Sequence, residues 1–354
     1  MELEDCIEEF LHIMDQYDWA EDIEEKEEEV FMEIYDWLED VYGIELEVDD
    51  ELNNFILDVF EYFFNYFFQQ NTNFLTNQIE KLSLIDQPEQ RTDAWYAFRN
   101  SLITASSCYK VFGSEKLQQQ FIKEKCFPKE MSSYVNVESP LHWGQKYEPL
   151  SILFYEYRYN TQVKEFGCIR HEEFPFLGAS PDGINVDIRS EKYGRMLEIK
   201  NVVSREITGI PKQEYWIQTQ IQMEVCNLDI CDFLETKFIE YEDYEIAQKD
   251  GDFLHSNNSI EINKGIILYF VHSKNNFKPL YIYKPLDMDM IEYDFWYDEM
   301  YDKYEKEGYT WVRNIYWKLH IFHNTVIHRD KKWFEAHIKQ IGDFWDKIKK
   351  QKEI

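Results

Sequence analysis

The stretch that most constrains the fold is residues 180–201, SPDGINVDIRSEKYGRMLEIKN. Two short runs of β-forming residues flank SEKYG, a turn-rich link, so the pattern predicts a hairpin of two strands at 183–189 and 195–201. Asp182 opens the first of these strands. A hairpin of this kind brings residues from both strands to one place on a sheet.

Charged residues of the second strand share one face of that sheet. Side chains alternate along a strand, so Glu198 and Lys200 leave one face, while Leu197 and Ile199 point into the core. Close carboxylates such as Asp182 and Glu198 repel each other unless a divalent cation lies between them. Oxygen ligands suit magnesium or manganese, and a lysine beside the metal would orient a water or stabilise charge on a phosphate. The pattern favours metal-assisted phosphodiester hydrolysis.

Polar residues on two predicted helices extend this cluster. Glu148, in HWGQKYEP, would supply a third carboxylate from the helix that precedes the sheet. Gln218 and Gln222 follow on the helix after the sheet, and they share a face because they are four residues apart. Taken alone, Gln220 and Gln222 are interpreted as solvated helix positions and not as ligands.

The chain carries most of its negative charge near its N-terminus. Residues 1–70 contain 25 Asp or Glu and one basic residue, Lys26, a net charge of −24, and the other 44 acidic and 36 basic residues give residues 71–354 only −8. Three helical patterns occupy this segment: LEDCIEEFLHIMDQY, EEKEEEVFMEIYDWLEDVYG and DDELNNFILDVFEYFFNYFF. Residues 71–92 are predicted to be a connector, being rich in Asn, Gln and charge.

The remainder of the chain has a mixed α/β pattern, so we predict an acidic helical extension with its connector at 1–88 and a second domain at 89–354. The predicted elements are a helix from about Asp93, a helix at 140–158, strands at 163–170, 183–189 and 195–201, a helix at 211–227, strands near GIILYFV and PLYIYKPL, and closing helices to the C-terminus.

The composition predicts a soluble, cytoplasmic protein. The six cysteines lack the spacing of a zinc site and are expected to be reduced thiols. The acidic N-terminus is unlike a signal peptide, and the most apolar window, NFILDVFEYFFNYFF, is too short and too charged to cross a membrane.

Five strings occur in an order that resembles the phage lambda exonuclease and YqaJ-type viral recombinase family, within the PD-(D/E)XK nuclease superfamily. They are WYAFRNSLITASS (95–107), HWGQKYEP (142–149), GASPDG (178–183), LEIK (197–200) and YWIQTQIQMEV (215–225). The closing RDKKWFEAHIKQIGDFW is also similar to the last helices of that family. The resemblance covers about residues 90–350 and implies a restriction-endonuclease-like core, a central mixed sheet flanked by helices.

The resemblance also implies roles for individual residues. It makes Asp182, Glu198 and Glu148 ligands of Mg²⁺ or Mn²⁺, Lys200 the catalytic lysine, and Gln218 a further catalytic residue. A second group is implied to hold the 5′-phosphate of a DNA end: Arg99, Ser106 and Ser180. A guanidinium with two hydroxyls suits a terminal phosphate.

The function implied is 5′ to 3′ exonuclease digestion of linear double-stranded DNA in the recombination, replication or repair of a large DNA virus. The expected partners are double-stranded DNA ends, a single-strand annealing protein and further copies of the chain, in the host cell cytoplasm or a viral factory. Two alternatives stay open: an endonuclease or end-trimming nuclease on the same fold, and an acidic DNA-mimic or interaction protein on a nuclease scaffold. An intact Asp, Glu and Lys set argues against the scaffold.

Several of the assigned residues also have a structural interpretation. Glu198 with Lys200 would form an exposed ion pair, worth under about 1 kcal/mol, if no metal site existed. Glu148 would be a carboxylate on a helix surface, and Arg99 would form a salt bridge from a helix face. Ser106 would be an N-cap, because serine is a leading capping residue.

Overall fold

The computed structural model describes residues 7, 9, 10, 12–14, 23–42, 50–88, 92–128, 136–257, 259–275 and 278–352. The chain divides into two compact units, Met1–Asn77 and Gln78–Ile354. The predicted domain division after residue 88 stays a prediction.

The first unit is helical, as predicted. Residues 7, 9, 10 and 12–14 are helical, and the rest of the first predicted helix lies outside the described residues. Helix α1 covers Ile23–Tyr42 and helix α2 covers Asp50–Leu84. The helical residues near the N-terminus and both helices contribute to one core of nine buried residues: Phe10, Ile13, Met14, Val30, Ile34, Tyr35, Leu38, Ile56 and Val59.

The connector predicted at 71–92 is wrong for most of its length. Residues 71–84 continue α2, and helical structure ends only before Ile85. The polar composition of this stretch led to the wrong interpretation. Its apolar residues still recur at helical spacing, and Ile79 and Leu82 are buried.

The second unit contains the remaining elements. Its helices are α3 (Asp93–Asn100), α4 (Ala105–Cys108), α5 (Glu115–Cys126), α6 (Pro140–Tyr159), α7 (Gln213–Cys226), α8 (Tyr244–Lys249), α9 (Met290–Lys306) and α10 (Lys331–Lys352), with 3-10 turns at Tyr109–Phe112 and Ser273–Asn275. Its strands are β1 (Ile103–Thr104), β2 (Val163–Lys164), β3 (Ile169–Arg170), β4 (Leu177–Ala179), β5 (Gly183–Asn185), β6 (Met196–Asn201), β7 (Ile230–Glu240), β8 (Lys264–Val271), β9 (Pro279–Tyr283) and β10 (Thr310–His328).

A seven-stranded mixed sheet forms the centre of this unit, in the order β2-β5-β6-β7-β10-β8-β9, and a three-stranded sheet has the order β1-β4-β3. Strands β6 and β7 are parallel, and the other pairs of the large sheet are antiparallel. The predicted hairpin is confirmed, because Gly183 pairs with Leu197 and Ile184 with Met196. The mixed sheet flanked by helices, with helices at the N-terminus, confirms the predicted fold class.

Two helices cover opposite faces of strand β6. Tyr155 of α6 packs with Leu197, Ile199 and Leu234 in one apolar cluster. The alternating residues Glu198 and Lys200 therefore face α7. Helix α6 begins where Ser139 caps it by accepting a hydrogen bond from the His142 N–H at 3.1 Å. None of the described helices combines the length and the apolar character needed to cross a membrane.

Candidate active site

The hairpin places Asp182 beside the strand that carries Glu198. An Asp182 carboxylate oxygen accepts a hydrogen bond from the Ile199 N–H at 2.7 Å, which fixes the side chain against β6. The next residue, Gly183, allows strand β2 to lie close: a Cβ at this position would be 2.1 Å from Cγ1 of Val163. Glycine is therefore required next to Asp182 by packing.

Glu198 is the centre of a buried hydrogen-bond cluster, with only 2% of its surface exposed. Lys200 donates to Oε1, and the Nε2 of Gln218 donates to the same oxygen at 2.7 Å. The Nε2 of Gln222 donates to Oε2 at 2.7 Å. The side-chain oxygen of Gln218 lies 3.3 Å from the Lys200 ammonium, so one amide holds both charged groups. The structure thus brings Glu198, Lys200 and Gln218 together as predicted, and an exposed ion pair is excluded.

Burial and two neighbouring carboxylates change the pKa of Asp182. The pKa of Asp182 is raised well above its ordinary value by burial, then by the negative charges of Glu198 and Glu148. This electrostatic effect also associates Glu148 with the site. Burial opposes the charged form of Lys200, but Glu198 and Asp182 outweigh it and raise the pKa of the ammonium. Lys200 therefore remains a cation at neutral pH.

The carboxylates of this cluster belong to the residue types that bind hard divalent cations. A buried carboxylate with a raised pKa beside two further carboxylates is a place where added positive charge is stabilising. Within the described part of the chain, no group of three His, Cys, Asp or Glu side chains is already arranged around a metal position. Both oxygens of Glu198 are engaged by Lys200 and the two glutamines. The assignment of Asp182, Glu198 and Glu148 as metal ligands stays a prediction.

Arg99 and two serines form a second cluster. The guanidinium donates to Oγ of Ser180 at 2.9 Å and to Oγ of Ser106 at 3.4 Å. It also lies over the ring of Trp95, with 4.5 Å from the guanidinium carbon to the ring centroid. The N-cap of helix α4 is Thr104, so the capping role considered for Ser106 is wrong. The three predicted phosphate-binding residues are adjacent, and their role stays a prediction.

Gln222 joins the two clusters. Its Nε2 donates to Glu198 and also lies 3.3 Å from the backbone oxygen of Ser180. Its Oε1 is buried and has no hydrogen-bond partner in the described part of the chain. The interpretation of Gln220 and Gln222 as solvated is wrong, because they are 0% and 1% exposed. The four-residue spacing from Gln218 was the signal that pointed to Gln222.

A lysine that the sequence did not single out supports the C-terminal end of helix α3, which carries Arg99. Lys125 is buried, and its ammonium donates to the backbone oxygens of Arg99 and Leu102 at 2.9 and 2.5 Å. Burial, and then the charge of Arg99, lower its pKa to about 8. In the string EKLQQQFIKEKC it resembles an ordinary surface lysine, so no sequence signal marked it.

Comparison with known proteins agrees with the resemblance drawn from the sequence. Residues 94–229 match the YqaJ-like viral recombinase domain, and this range contains every residue of both clusters. An uncharacterized protein of Acanthamoeba polyphaga mimivirus is 30% identical over 304 residues, or 77% of this chain. The chain spans about half of that relative, 54% of its length.

Solved structures of two exonucleases are also similar. The alkaline exonuclease LHK-Exo of Laribacter hongkongensis is 18% identical, with a TM-score of 0.43 over 74% of this chain and 95% of that chain. A phage-related exonuclease of Haemophilus somnus 129PT is 12% identical, with a TM-score of 0.36 over 71% of this chain and 96% of that chain.

Proposed function

We propose, from the YqaJ-like viral recombinase domain at residues 94–229, that this protein is a metal-dependent exonuclease that digests linear double-stranded DNA from its 5′ end. The observation that carries the proposal is the link through Gln222. One amide contacts both Glu198, which forms the acidic cluster with Asp182 and Glu148, and Ser180 in the Arg99 cluster. A bound terminal phosphate would therefore lie beside the carboxylates.

The Arg99 cluster would hold the 5′-phosphate of a DNA end. The guanidinium is a fixed fork of donors that matches phosphate oxygens, and the hydroxyls of Ser106 and Ser180 add further donors. These hydroxyls already contact the guanidinium, so little rearrangement is needed. Digestion from a 5′ end follows, because the phosphate anchors the chain terminus.

The acidic cluster would hold Mg²⁺ or Mn²⁺ through Asp182, Glu198 and Glu148. When bound, such a metal polarises the phosphate and lowers the pKa of a coordinated water. Lys200 would contribute the positive charge of its ammonium to the negative charge that develops on the phosphate, since a lysine side chain is ordinarily protonated at neutral pH. Gln218 positions Lys200 and Glu198 relative to each other.

The viral setting belongs to the same proposal. The chain would act in recombination, replication or repair of viral DNA, in the host cell cytoplasm or a viral factory. A single-strand annealing protein and further copies of this chain are its proposed partners. The sequence resemblance supports these points.

The experiment that tests the function compares linear and covalently closed circular duplexes. With Mg²⁺, we expect release of nucleotides from the linear duplex and no cleavage of the circle; EDTA should abolish hydrolysis. Strand-specific end labels establish the direction of digestion. Cleavage of the closed circle at a similar rate would instead indicate an endonuclease.

Arg99→Ala should remove a preference for 5′-phosphorylated ends. We expect the wild-type protein to digest 5′-phosphorylated duplexes faster than 5′-hydroxyl ones, because Arg99 forms charge-assisted hydrogen bonds to the phosphate. The variant should digest both at one rate. The matched control is Arg170→Ala, which removes a nearby arginine whose guanidinium lies 3.4 Å from Oγ of Ser101. Loss of the preference in both variants would rule out a specific phosphate site at Arg99.

Gln222→Ala should lower the affinity for Mg²⁺ while the protein still folds. Residues that orient metal ligands typically contribute roughly 10- to 100-fold in metal affinity, so we expect a rise of that size in the Mg²⁺ concentration for half-maximal rate. Gln220→Ala is the control, since Gln220 is equally buried but binds the backbone at His328 and Asp330. Identical Mg²⁺ dependence of the two variants would show that Gln222 only fills space.

A further inference from the structure

A groove lined by tyrosines lies between helices α8 and α9 and the sheet, among residues that the nuclease proposal does not use. It consists of two adjoining chambers of about 350 and 380 Å³. Both volumes lie in the range of ligand sites. The chambers share five lining residues: Tyr244, Phe253, Ile266, Met290 and Tyr316.

The tyrosines of the groove lie close to one another. Tyr244 and Tyr316 have ring centroids 5.3 Å apart, and Tyr293 and Tyr297 have theirs 5.9 Å apart. The Asn314 side-chain amide lies 3.4 Å from the hydroxyl oxygens of both Tyr293 and Tyr316. The pKa of Tyr293 is raised mainly by burial, and Tyr316, Tyr297 and Asp294 raise it further. These surroundings disfavour negative charge in the groove.

Two carboxylates complete the outer chamber. Asp294 and Asp298 line it, one helical turn apart on α9. Between Met290 and Tyr301 this helix carries four acidic residues and no basic one. Aromatic faces and carboxylates together attract a cation.

The inner chamber is lined by one lysine, but its ammonium is not available to a ligand. Lys264 is 4% exposed, and its ammonium donates to the backbone oxygens of Ala247, Asp250 and Asp252, each at 2.7 Å. Burial lowers its pKa. The charges that a ligand would meet are therefore carboxylates, that of Asp252 in the inner chamber and those of Asp294 and Asp298 in the outer one.

Exposed apolar side chains continue from the groove along α9. Met290, Ile291 and Phe295 are 48%, 71% and 75% exposed. At 3.6 residues per turn, Ile291 and Phe295 follow Asp294 and Asp298 around the helix toward solvent. A ligand that used this surface would need both cationic and apolar groups, which an extended peptide supplies.

We propose that this groove binds a basic segment of a partner protein, with an arginine or lysine side chain against the tyrosines between Asp294 and Asp298. Apolar residues of the same segment would lie on Met290, Ile291 and Phe295. Charge complementarity selects this ligand, because nucleic acid would bring phosphates toward two carboxylates. The surface is separate from the residues proposed for hydrolysis.

The test uses the full-length protein and a fluorescent peptide of alternating arginine and leucine. Its twin carries citrulline, a neutral side chain of similar shape, in place of each arginine. We expect the arginine peptide to bind at least about tenfold more tightly, since the paired carboxylates and the tyrosine rings attract a charged guanidinium more strongly than a neutral citrulline. Asp294→Asn with Asp298→Asn should remove that difference.

The matched control is Glu299→Gln with Glu305→Gln, which removes the same charge from α9 outside the groove. It should keep the difference between the peptides, and both double variants should digest DNA like the wild type. Equal binding of the two peptides, equal loss in both double variants, or displacement of the peptide by oligothymidylate would overturn the proposal. The binding assay needs no hydrolysis, so its result is independent of the nuclease proposal.

Discussion

Lys200→Ala is expected to reduce hydrolysis of linear duplex DNA by roughly 10²- to 10³-fold, the usual effect of removing one positioned donor to developing charge. The Lys200 ammonium contacts Glu198 and lies 3.3 Å from the Gln218 oxygen, so its position is fixed before substrate binds. DNA affinity in EDTA should change little, because the Arg99 cluster is untouched. Single-turnover rates and DNA affinity measured on the same preparation test both expectations.

The same substitution should lower stability in metal-free buffer. Glu198 is almost fully buried, and losing the partner of a buried charge costs about 3 kcal/mol. Added Mg²⁺ should restore part of that loss by supplying positive charge. Lys318→Ala is the control, because its ammonium also pairs with a carboxylate, that of Asp250 at 2.6 Å. A Lys200→Ala protein that hydrolyses DNA at the wild-type rate would exclude Lys200 from the mechanism.

Asp182→Asn is expected to abolish measurable hydrolysis while making the metal-free protein more stable. A neutral amide cannot balance a divalent cation as a carboxylate does. A loss of several kcal/mol of transition-state stabilisation corresponds to at least about 10³-fold in rate. The asparagine oxygen can still accept the hydrogen bond from the Ile199 N–H, so the hairpin should keep its geometry.

The gain in stability follows from the raised pKa of Asp182. The folded protein holds this proton more tightly than the unfolded chain, whose carboxyl titrates at about 3.9. In EDTA, stability should therefore fall as the pH rises from that value through the folded pKa, and the variant should lack this contribution.

Thermal unfolding across this pH range, with and without Mg²⁺, measures the effect. Mg²⁺ should raise the unfolding temperature of the wild-type protein and leave that of Asp182→Asn nearly unchanged. The wild type titrated with NaCl to the same ionic strength is the control for screening. An equal Mg²⁺ response in both proteins would show that Asp182 is not a metal ligand.

Strand alternation and the turn at SEKYG were sufficient to predict the hairpin and the shared face of Glu198 and Lys200, because both depend on residues close in sequence. The order of the five sequence strings, which resembles that of a known family, identified Arg99, Ser106 and Ser180 as one phosphate-binding group. Their hydrogen bonds in the fold agree with that grouping. No local pattern could have joined Arg99 to a serine 81 residues away.

Strand β10 could not be predicted from the alternation of apolar and polar residues. Its 19 residues pair with β7 on one side and β8 on the other, and the register shifts between Leu319 and Ile321 and between Trp311 and Arg313. Each shift resets the alternation of inward and outward side chains. A regular two-residue alternation of apolar and polar side chains therefore did not predict β10, the longest strand of the sheet.

What the sequence determined by itself is the local geometry of the site: which side chains share a face of β6, and which recur on one face of α7. What only the tertiary structure decided is burial. Every residue of α7 from Ile217 to Cys226 is buried, because sheet, strand β4 and helices α4 and α10 surround it. Helical spacing cannot report packing on all sides, since burial depends on segments distant in sequence. The sequence therefore predicted a solvated Gln222, whereas the folded chain buries it between Glu198 and Ser180.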